Sequence, residues 1–377
     1  MKEHVVTSPQ SARISTQEHK SLINFSSCDY LGYCDDPRLA KRASEIAEEY
    51  GVGLSSVRFI CGTTRHHVEL EQGISRFFEK DDAILFANGY SANMAVFETF
   101  FTKEDAIILD KRVHESLKES ADLTRAPRYY FRHNDMRELE AQLEAADKAK
   151  TRYKVIAVDG LSASTGEVSS ISQICDLADK YDALVLVDEC HSFGVLGERG
   201  RGAAELEKSL NRVDLISGTF SKAVGGCNGG FLTGNKDVID LLRQKGRPYL
   251  FSNTIPQFTA GTYAYVLDLI QQEPERRRSL SINTRLAREK LAGMGVKIAG
   301  HADSPLIPML IGDEKLAQRV SEELVDSGIM ATPWMHPYTA KGEASIRIQV
   351  SAKHTEAELS ECLGVVQRTF KARGLIE

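Results

Sequence analysis

The chain has no long apolar run, no closely paired cysteines and no excess of positive charge, and each absence removes a class of function. No stretch approaches the roughly 20 consecutive apolar residues that a helix needs to cross a bilayer. The polar start Met1–Lys20 has no apolar centre of the kind a secretory signal carries, so a cytoplasmic location is expected. The seven cysteines, at positions 28, 34, 61, 175, 190, 227 and 362, show no C-x-x-C spacing. Scattered thiols in odd number argue against a disulfide framework or a zinc site, so no metal is expected, and Cys190 reads more readily as a small core residue than as a nucleophile. With 47 Lys and Arg against 53 Asp and Glu, the net charge is -6, which gives no electrostatic case for nucleic acid or an anionic membrane. Internal repeats and low-complexity tracts are also missing.

What the chain does have is length and alternation. Its 377 residues suffice for two closely associated domains with large cores. Short apolar runs such as Ile107–Leu109, Lys154–Val158, Leu184–Val187 and Leu215–Ile216 alternate with amphipathic segments such as Asp135–Ala146 and Ile171–Tyr181. That order predicts an α/β fold with a mostly parallel sheet covered on both faces. Ser170 reads as a helix cap, with Gln173 as its capping-box partner. The expected divisions are 1–45 as an amino-terminal arm and first helix, 46–255 as a large domain, 256–274 as a connecting helix and 275–377 as a smaller α+β domain.

Lys222 is the residue with most chemistry to offer. It lies in Gly218-Thr219-Phe220-Ser221-Lys222-Ala223, after the strand-like Val213–Ile216 and before Gly225-Gly226. Small residues and hydroxyls around an amine let a flat phosphorylated ligand approach closely, and lysine forms Schiff bases with aldehydes. A solvated surface lysine is the bland alternative. Upstream, Asp188 ends the apolar run Leu184–Val187, where α/β proteins place ligand-binding groups, and His191 follows it. Such an Asp could pair with a protonated pyridine nitrogen; alternatively it is a turn carboxylate and His191 a core imidazole.

A phosphate would need its own donors. Ala87-Asn88-Gly89-Tyr90-Ser91-Ala92-Asn93 joins a short strand to an apolar helical stretch, and a helix start favours an anion. The amides of Gly89 and Tyr90, or Ser91, could hold phosphate with Thr219 and Ser221, although Asn-Gly is equally a plain turn. His114 follows the strand signal Ile107–Asp110 and could lie flat over a ring. Arg347 alternates with Ile346, Ile348 and Val350, which predicts a half-buried strand whose guanidinium needs a planar anion or a structural salt bridge.

These segments, with Tyr30-Leu31-Gly32, Ser56-Val57-Arg58-Phe59-Ile60-Cys61-Gly62-Thr63, Asn134–Glu140, Cys175–Ala183, Arg247–Asn253 and Ser351-Ala352-Lys353-His354, resemble the α-oxoamine synthases from about Phe25 to Val366. These are pyridoxal 5'-phosphate (PLP) enzymes, aminotransferase-like in fold, that condense an amino acid with an acyl-coenzyme A. The resemblance implies a fold-type I PLP-dependent transferase: a large domain with a mostly parallel seven-stranded sheet between helices, a smaller α+β carboxyl-terminal domain, and a homodimer with active sites at its interface. It implies Lys222 as Schiff-base lysine and base, Asp188 on the ring nitrogen, His114 on the ring face, and His191 with Ser162 near the ring oxygen and acyl carbonyl. Thr219 is implied at the phosphate, with Ser252 or Thr254 from the partner subunit, and Arg347 on the amino-acid carboxylate.

The chain also departs from the family. The segment before Tyr30-Leu31-Gly32 is short, and Asp29 stands where the family commonly has Asn, so Asp29 and Tyr30 are expected near the substrate. Glycine with acetyl-coenzyme A is the leading substrate pair implied. Serine or alanine with a longer acyl group, carried by coenzyme A or a carrier protein, is the alternative. A catalytically silent partner subunit is the non-enzyme reading, disfavoured because Lys222, Asp188, His114 and His191 are all retained.

Overall fold

In the computed structural model, which describes residues 3–377, seven short apolar segments pair into one sheet. They are β1 (Asp82–Phe86), β2 (Ala106–Asp110), β3 (Arg128–Phe131), β4 (Lys154–Asp159), β5 (Leu184–Asp188), β6 (Leu215–Thr219) and β7 (Gly230–Gly234). Their spatial order is β1-β7-β6-β5-β4-β2-β3. All run parallel except β7, which is antiparallel to both β1 and β6. Every residue of β2, β4, β6 and β7 is buried, as expected of strands covered on both faces.

The longer helices of this larger unit are α1 (Pro37–Tyr50), α2 (Arg65–Phe78), α3 (Gly89–Phe100), α4 (Glu115–Asp122), α5 (Met136–Lys148), α6 (Ile171–Tyr181), α7 (Lys236–Lys245) and α8 (Gln257–Gln272). Helix α8 packs against both α1 and α2. Gly261 makes the approach to α1 possible, since a Cβ there would lie 2.5 Å from the Ile46 Cδ1. That contact ties α1 and α8 to the sheet unit, which spans Pro37–Ser162 and Ser169–Gln272 and so extends beyond 46–255 at both ends. Helix α6 starts at Ile171, but the Ser170 side chain makes no cap hydrogen bond. The expected capping box with Gln173 does not form; the Ser170 amide donates instead to Asn134 Oδ1 at 2.9 Å.

Among the described residues, the smaller unit comprises 3–36, 163–168 and 273–377. It holds an antiparallel sheet in the order β8 (Leu306–Gly312), β10 (Ala344–Gln349), β9 (Thr332–Trp334), with helices α9 (Pro274–Gly293), α10 (Glu314–Asp326) and α11 (Glu356–Ala372). A second small sheet joins Arg13–Ile14, Leu22–Asn24 and Ile329–Met330. The alternation around Arg347 led to a half-buried strand, yet all six residues of β10 are buried. It is the central strand of its sheet and α10 packs on it, so both its edges and one face are covered. Among the described residues no helix is long and apolar enough to cross a membrane.

One glycine links sheet packing to the start of α3. A Cβ on Gly230, the first residue of β7, would lie 2.3 Å from the Asn88 carbonyl and 2.4 Å from the Gly89 nitrogen. Gly230→Ala should therefore cost about 1–3 kcal/mol, the usual range for overpacking. Gly293→Ala, where no atom lies within 4 Å, should be neutral or stabilise by up to about 1 kcal/mol. Chemical denaturation of both variants checks this, and equal losses would contradict it.

Candidate active site

The parallel strands end at one edge of the sheet, and β2, β4, β5 and β6 end there on the polar residues Asp110, Asp159, Asp188 and Thr219. The final residues of β4 and β5 are register partners, Asp159 beside Asp188, and Asp188 in turn faces Ser217 of β6. All three are buried. The turns that follow these strand ends enclose an open cleft of about 600 Å³, lying wholly within the larger unit.

Helix α3 supplies one end of the cleft. The Asn88 side chain caps it by accepting the Ser91 amide at 2.8 Å, leaving the Gly89 and Tyr90 amides without intrahelical acceptors. A Cβ on Gly89 would lie 3.2 Å from Cys190 Sγ and 3.4 Å from Thr219 Cβ, so glycine lets the helix start sit close to the ends of β5 and β6. Opposite these amides, the Thr219 hydroxyl donates to the Gly229 carbonyl at 2.9 Å and lies 2.8 Å from Ser221 Oγ. Lys222 follows in a loop pinned by Phe220, which stacks on Tyr263 at 4.3 Å. Gly225 and Gly226 turn the chain away with φ of +112° and +75°, a region closed to most side chains.

Asp188 is held from two sides. One oxygen accepts the Cys190 amide at 2.8 Å and the other accepts the Asn93 side-chain amide at 2.7 Å. The same Asn93 nitrogen donates to Ser116 Oγ at 2.9 Å, and Ser116 Oγ lies 2.8 Å from His114 Nδ1. The His114 backbone amide points at both Asp159 oxygens, at 3.1 and 3.0 Å. Burial lowers the His114 pKa, and Lys222 adds to the effect against the opposing pull of Asp188. Burial, and then the neighbouring Asp188, push the Asp159 carboxyl well above its ordinary range.

His191 enters the cleft from the turn after β5. That turn is anchored by the fully buried Glu189, which accepts the amides of Ala203 and Ala204, each at 2.8 Å, and the Ser192 hydroxyl. Burial raises the Glu189 pKa to about 7. The Cys190 thiol is also pushed up, by burial and then by Asp188, a setting for a protonated and unreactive thiol.

Of the residues expected from sequence, Lys222, Asp188, His191, His114, Gly89, Tyr90, Thr219 and Ser221 meet in this cleft. Ser162 is buried just behind the lining residue Leu161. Ser91 is engaged through its amide in the helix cap and is not part of the lining. Ser252 and Thr254 are not part of it either; Ser252 is exposed, while Thr254 Oγ1 is buried without a partner. Asn93, Ser116, Asp159 and Asn88 were not singled out. Asp159 carries the strand-end signal, just past the apolar run Lys154–Val158, and Asn93 is a polar side chain on a helix otherwise buried through Ala92, Ala95 and Val96.

In the smaller unit, Arg347 is 8% exposed, with Nη1 donating to the Ala163 carbonyl at 2.7 Å and its guanidinium 3.8 Å from the Trp334 ring centre. Its Nε is buried without a partner, and among the described residues no carboxylate pairs with it. Asp29 is buried and accepts the amides of Tyr33 at 2.9 Å and Cys34 at 3.3 Å. Its carboxylate closes a turn, and burial raises its pKa. Tyr30 is wholly buried and donates to Gln349 Oε1 at 2.9 Å. Both residues are thus engaged in building the unit.

Comparison with known proteins gives a consistent family. Residues 20–366 match the family described as aminotransferase class I and II. The chain is 41% identical to 2-amino-3-ketobutyrate coenzyme A ligase of Escherichia coli (strain K12), covering 99% of this chain and 94% of that one. It is 37% identical to 8-amino-7-oxononanoate synthase 1 of Bacillus subtilis, over 96% and 91%. Among solved structures, a serine palmitoyltransferase variant from S. paucimobilis with PLP and myriocin bound superposes with a TM-score of 0.95 at 29% identity, over 99% and 94% of the two chains.

The raised Asp159 pKa has a consequence for stability. A carboxyl whose folded-state pKa is raised favours the fold while protonated, and that contribution is lost as pH climbs through the folded-state value. Asp159→Asn keeps an acceptor for the His114 amide and cannot ionise. Its stability relative to the native protein should rise with pH, measured as denaturation midpoints from acid to mildly alkaline buffer. A difference that is flat or falls with pH would contradict the assignment.

Proposed function

The chain belongs to the class I and II aminotransferase family, in its α-oxoamine synthase branch, and on that premise we propose that it condenses glycine with acetyl-coenzyme A, releasing coenzyme A and forming 2-amino-3-oxobutanoate. The observation that carries this reading is the likeness to 2-amino-3-ketobutyrate coenzyme A ligase, which runs through essentially the whole chain. The cleft fits PLP by its donor set. Free amides at a helix start and two hydroxyls suit a phosphate, a buried carboxylate suits a ring nitrogen, and an amine stands in the same cleft. When bound, PLP supplies an electron sink for carbanion chemistry at the amino acid's α-carbon.

The protein's residues do the rest. Lys222 Nζ is the amine that would hold the cofactor's aldehyde carbon and would take up the substrate's α-proton. Asp188 would accept a hydrogen bond from the ring N–H, and its carboxylate would keep that nitrogen protonated. The Gly89 and Tyr90 amides, with Thr219 and Ser221, hold the phosphate, and His114 packs on the ring face. His191, assisted by Ser162, offsets charge that develops on the acyl oxygen as the thioester is attacked. Arg347, already fixed by Ala163 and Trp334, holds the substrate carboxylate.

A homodimer in the cytoplasm belongs to the same proposal, with Ser252 and Thr254 donated to the partner's phosphate site. Its support is an exposed apolar patch: Phe59 (61%), Ile60 (68%) and Phe251 (75%), the last adjoining Ser252. Isolated monomers have little reason to expose three such side chains on adjoining segments. A second substrate reading, serine with a longer acyl thioester, is favoured by the structural likeness to serine palmitoyltransferase.

The purified protein should show a visible absorption band, and borohydride should fix the cofactor's mass on the Lys222 peptide; Lys222→Ala should lose both. Native protein that binds no PLP would sink the reading. In an assay pairing glycine, serine and alanine with short and long acyl thioesters, free thiol release should be fastest for glycine with acetyl-coenzyme A. Arg347→Ala should raise the KM for the amino acid by roughly 10- to 150-fold, the equivalent of about 1.5–3 kcal/mol for a charged hydrogen bond, with PLP affinity unchanged. Equal loss of both would count against the carboxylate role.

For the dimer, sedimentation of the double variant Phe59→Asp, Ile60→Asp should give monomer with weakened PLP binding. A native protein that sediments as monomer would refute the shared site.

A further inference from the structure

We infer that Asn93 is a positioning residue which, acting through Ser116, fixes the hydrogens on the two groups that flank the cofactor ring, keeping Asp188 a pure acceptor and His114 a neutral imidazole with its proton on Nε2. The inference rests on the proposed cofactor site for its purpose, but the hydrogen placement follows from geometry alone.

A primary amide nitrogen carries two hydrogens. Asn93 is fully buried on α3, one turn beyond Gly89, and its nitrogen lies 2.7 Å from Asp188 Oδ2 and 2.9 Å from Ser116 Oγ. Turning the amide over would set its oxygen against a carboxylate oxygen, two acceptors in contact, so the orientation is determined. Asn93 Oδ1 is then left buried without a partner, a cost accepted so that both hydrogens can be used.

Ser116 passes the constraint on. Its hydroxyl accepts from Asn93 and lies 2.8 Å from His114 Nδ1, and because the Ser116 backbone amide can only donate to that nitrogen, the hydroxyl's single hydrogen is directed there as well. The Ser116 backbone amide donates to the same nitrogen at 3.2 Å. Two donors on one ring nitrogen require a lone pair there, so the ring proton must sit on Nε2. Protonating Nδ1 would oppose hydrogen to hydrogen. The charged groups that bear on this imidazole are Asp188, Lys222, Glu115 and Lys118, with Asp159 on its backbone amide. Burial and Lys222 act in the same direction as the relay.

The arrangement has a purpose at a pyridine ring held protonated by Asp188. An imidazolium on the face of a cationic ring would be repelled, whereas a neutral imidazole is not. Asn93 thus sets opposite conditions at its two ends: an anion under the ring edge and no charge over its face.

The test is nitrogen NMR of the full-length protein with labelled histidine, as purified and after PLP removal, with His114 assigned by His114→Gln. The native protein should show unprotonated Nδ1 and protonated Nε2 at neutral pH. In Ser116→Ala, and in Asn93→Asp if it folds, His114 should titrate at least about one pH unit higher. Asn93→Ala should weaken PLP binding at least tenfold, read by equilibrium dialysis. A protonated Nδ1 in the native protein, or an unchanged His114 titration in Ser116→Ala, overturns the relay. Failure of the native protein to bind PLP would defeat the cofactor reading instead, while the NMR result would still decide the relay.

Discussion

Two buried carboxyl groups stand side by side at the ends of β4 and β5, and much of the surrounding structure follows from keeping them there. Neighbouring buried acids cannot both be charged without compensation. The protein resolves the conflict by giving them different company. Asp188 receives an amide from its own turn and another from the Asn93 side chain, while Asp159 accepts the His114 backbone amide and, with burial and Asp188 outweighing that bond and the pull of Lys222, is driven toward its neutral form. One acid becomes a charged tool and its neighbour a brace for the helix that carries the imidazole. The amine of Lys222 lines the same cleft.

The reach of sequence reading follows the range of the interactions concerned. Lys222, Asp188, His114 and the Gly89-Tyr90 turn could be identified because each lies just past an apolar run, and a strand end is a local signal. The mostly parallel sheet was readable for the same reason. Asn93 and Ser116 were not, since their meaning comes from contacts with residues far away in the chain: Asn93 with Asp188, and Ser116 with Asn93.

Local rules also misled where a longer-range contact won. Ser170 has the right side chain for a cap, but Asn134 takes its amide. Alternation around Arg347 suggested one wet face, yet a central strand under a helix has none. The domain boundary shifted because Gly261 admits Ile46, a helix contact that composition does not reveal. In each case a backbone hydrogen bond or close packing outweighed a sound local preference.

The antiparallel strand β7 has an effect in time as well as in space. Strand β1 has no sheet neighbour other than β7, so Phe86 must wait for Gly230 before it can pair. Helix α3, whose first turn contributes the Gly89 and Tyr90 amides, hangs from that strand. Strands β2 through β6 pair with one another without β7, whereas the anion-holding end is joined to the sheet only through it. Closing so long a loop is entropically costly and late. The place that would hold a phosphate thus depends on the strand that follows the reactive amine in the chain.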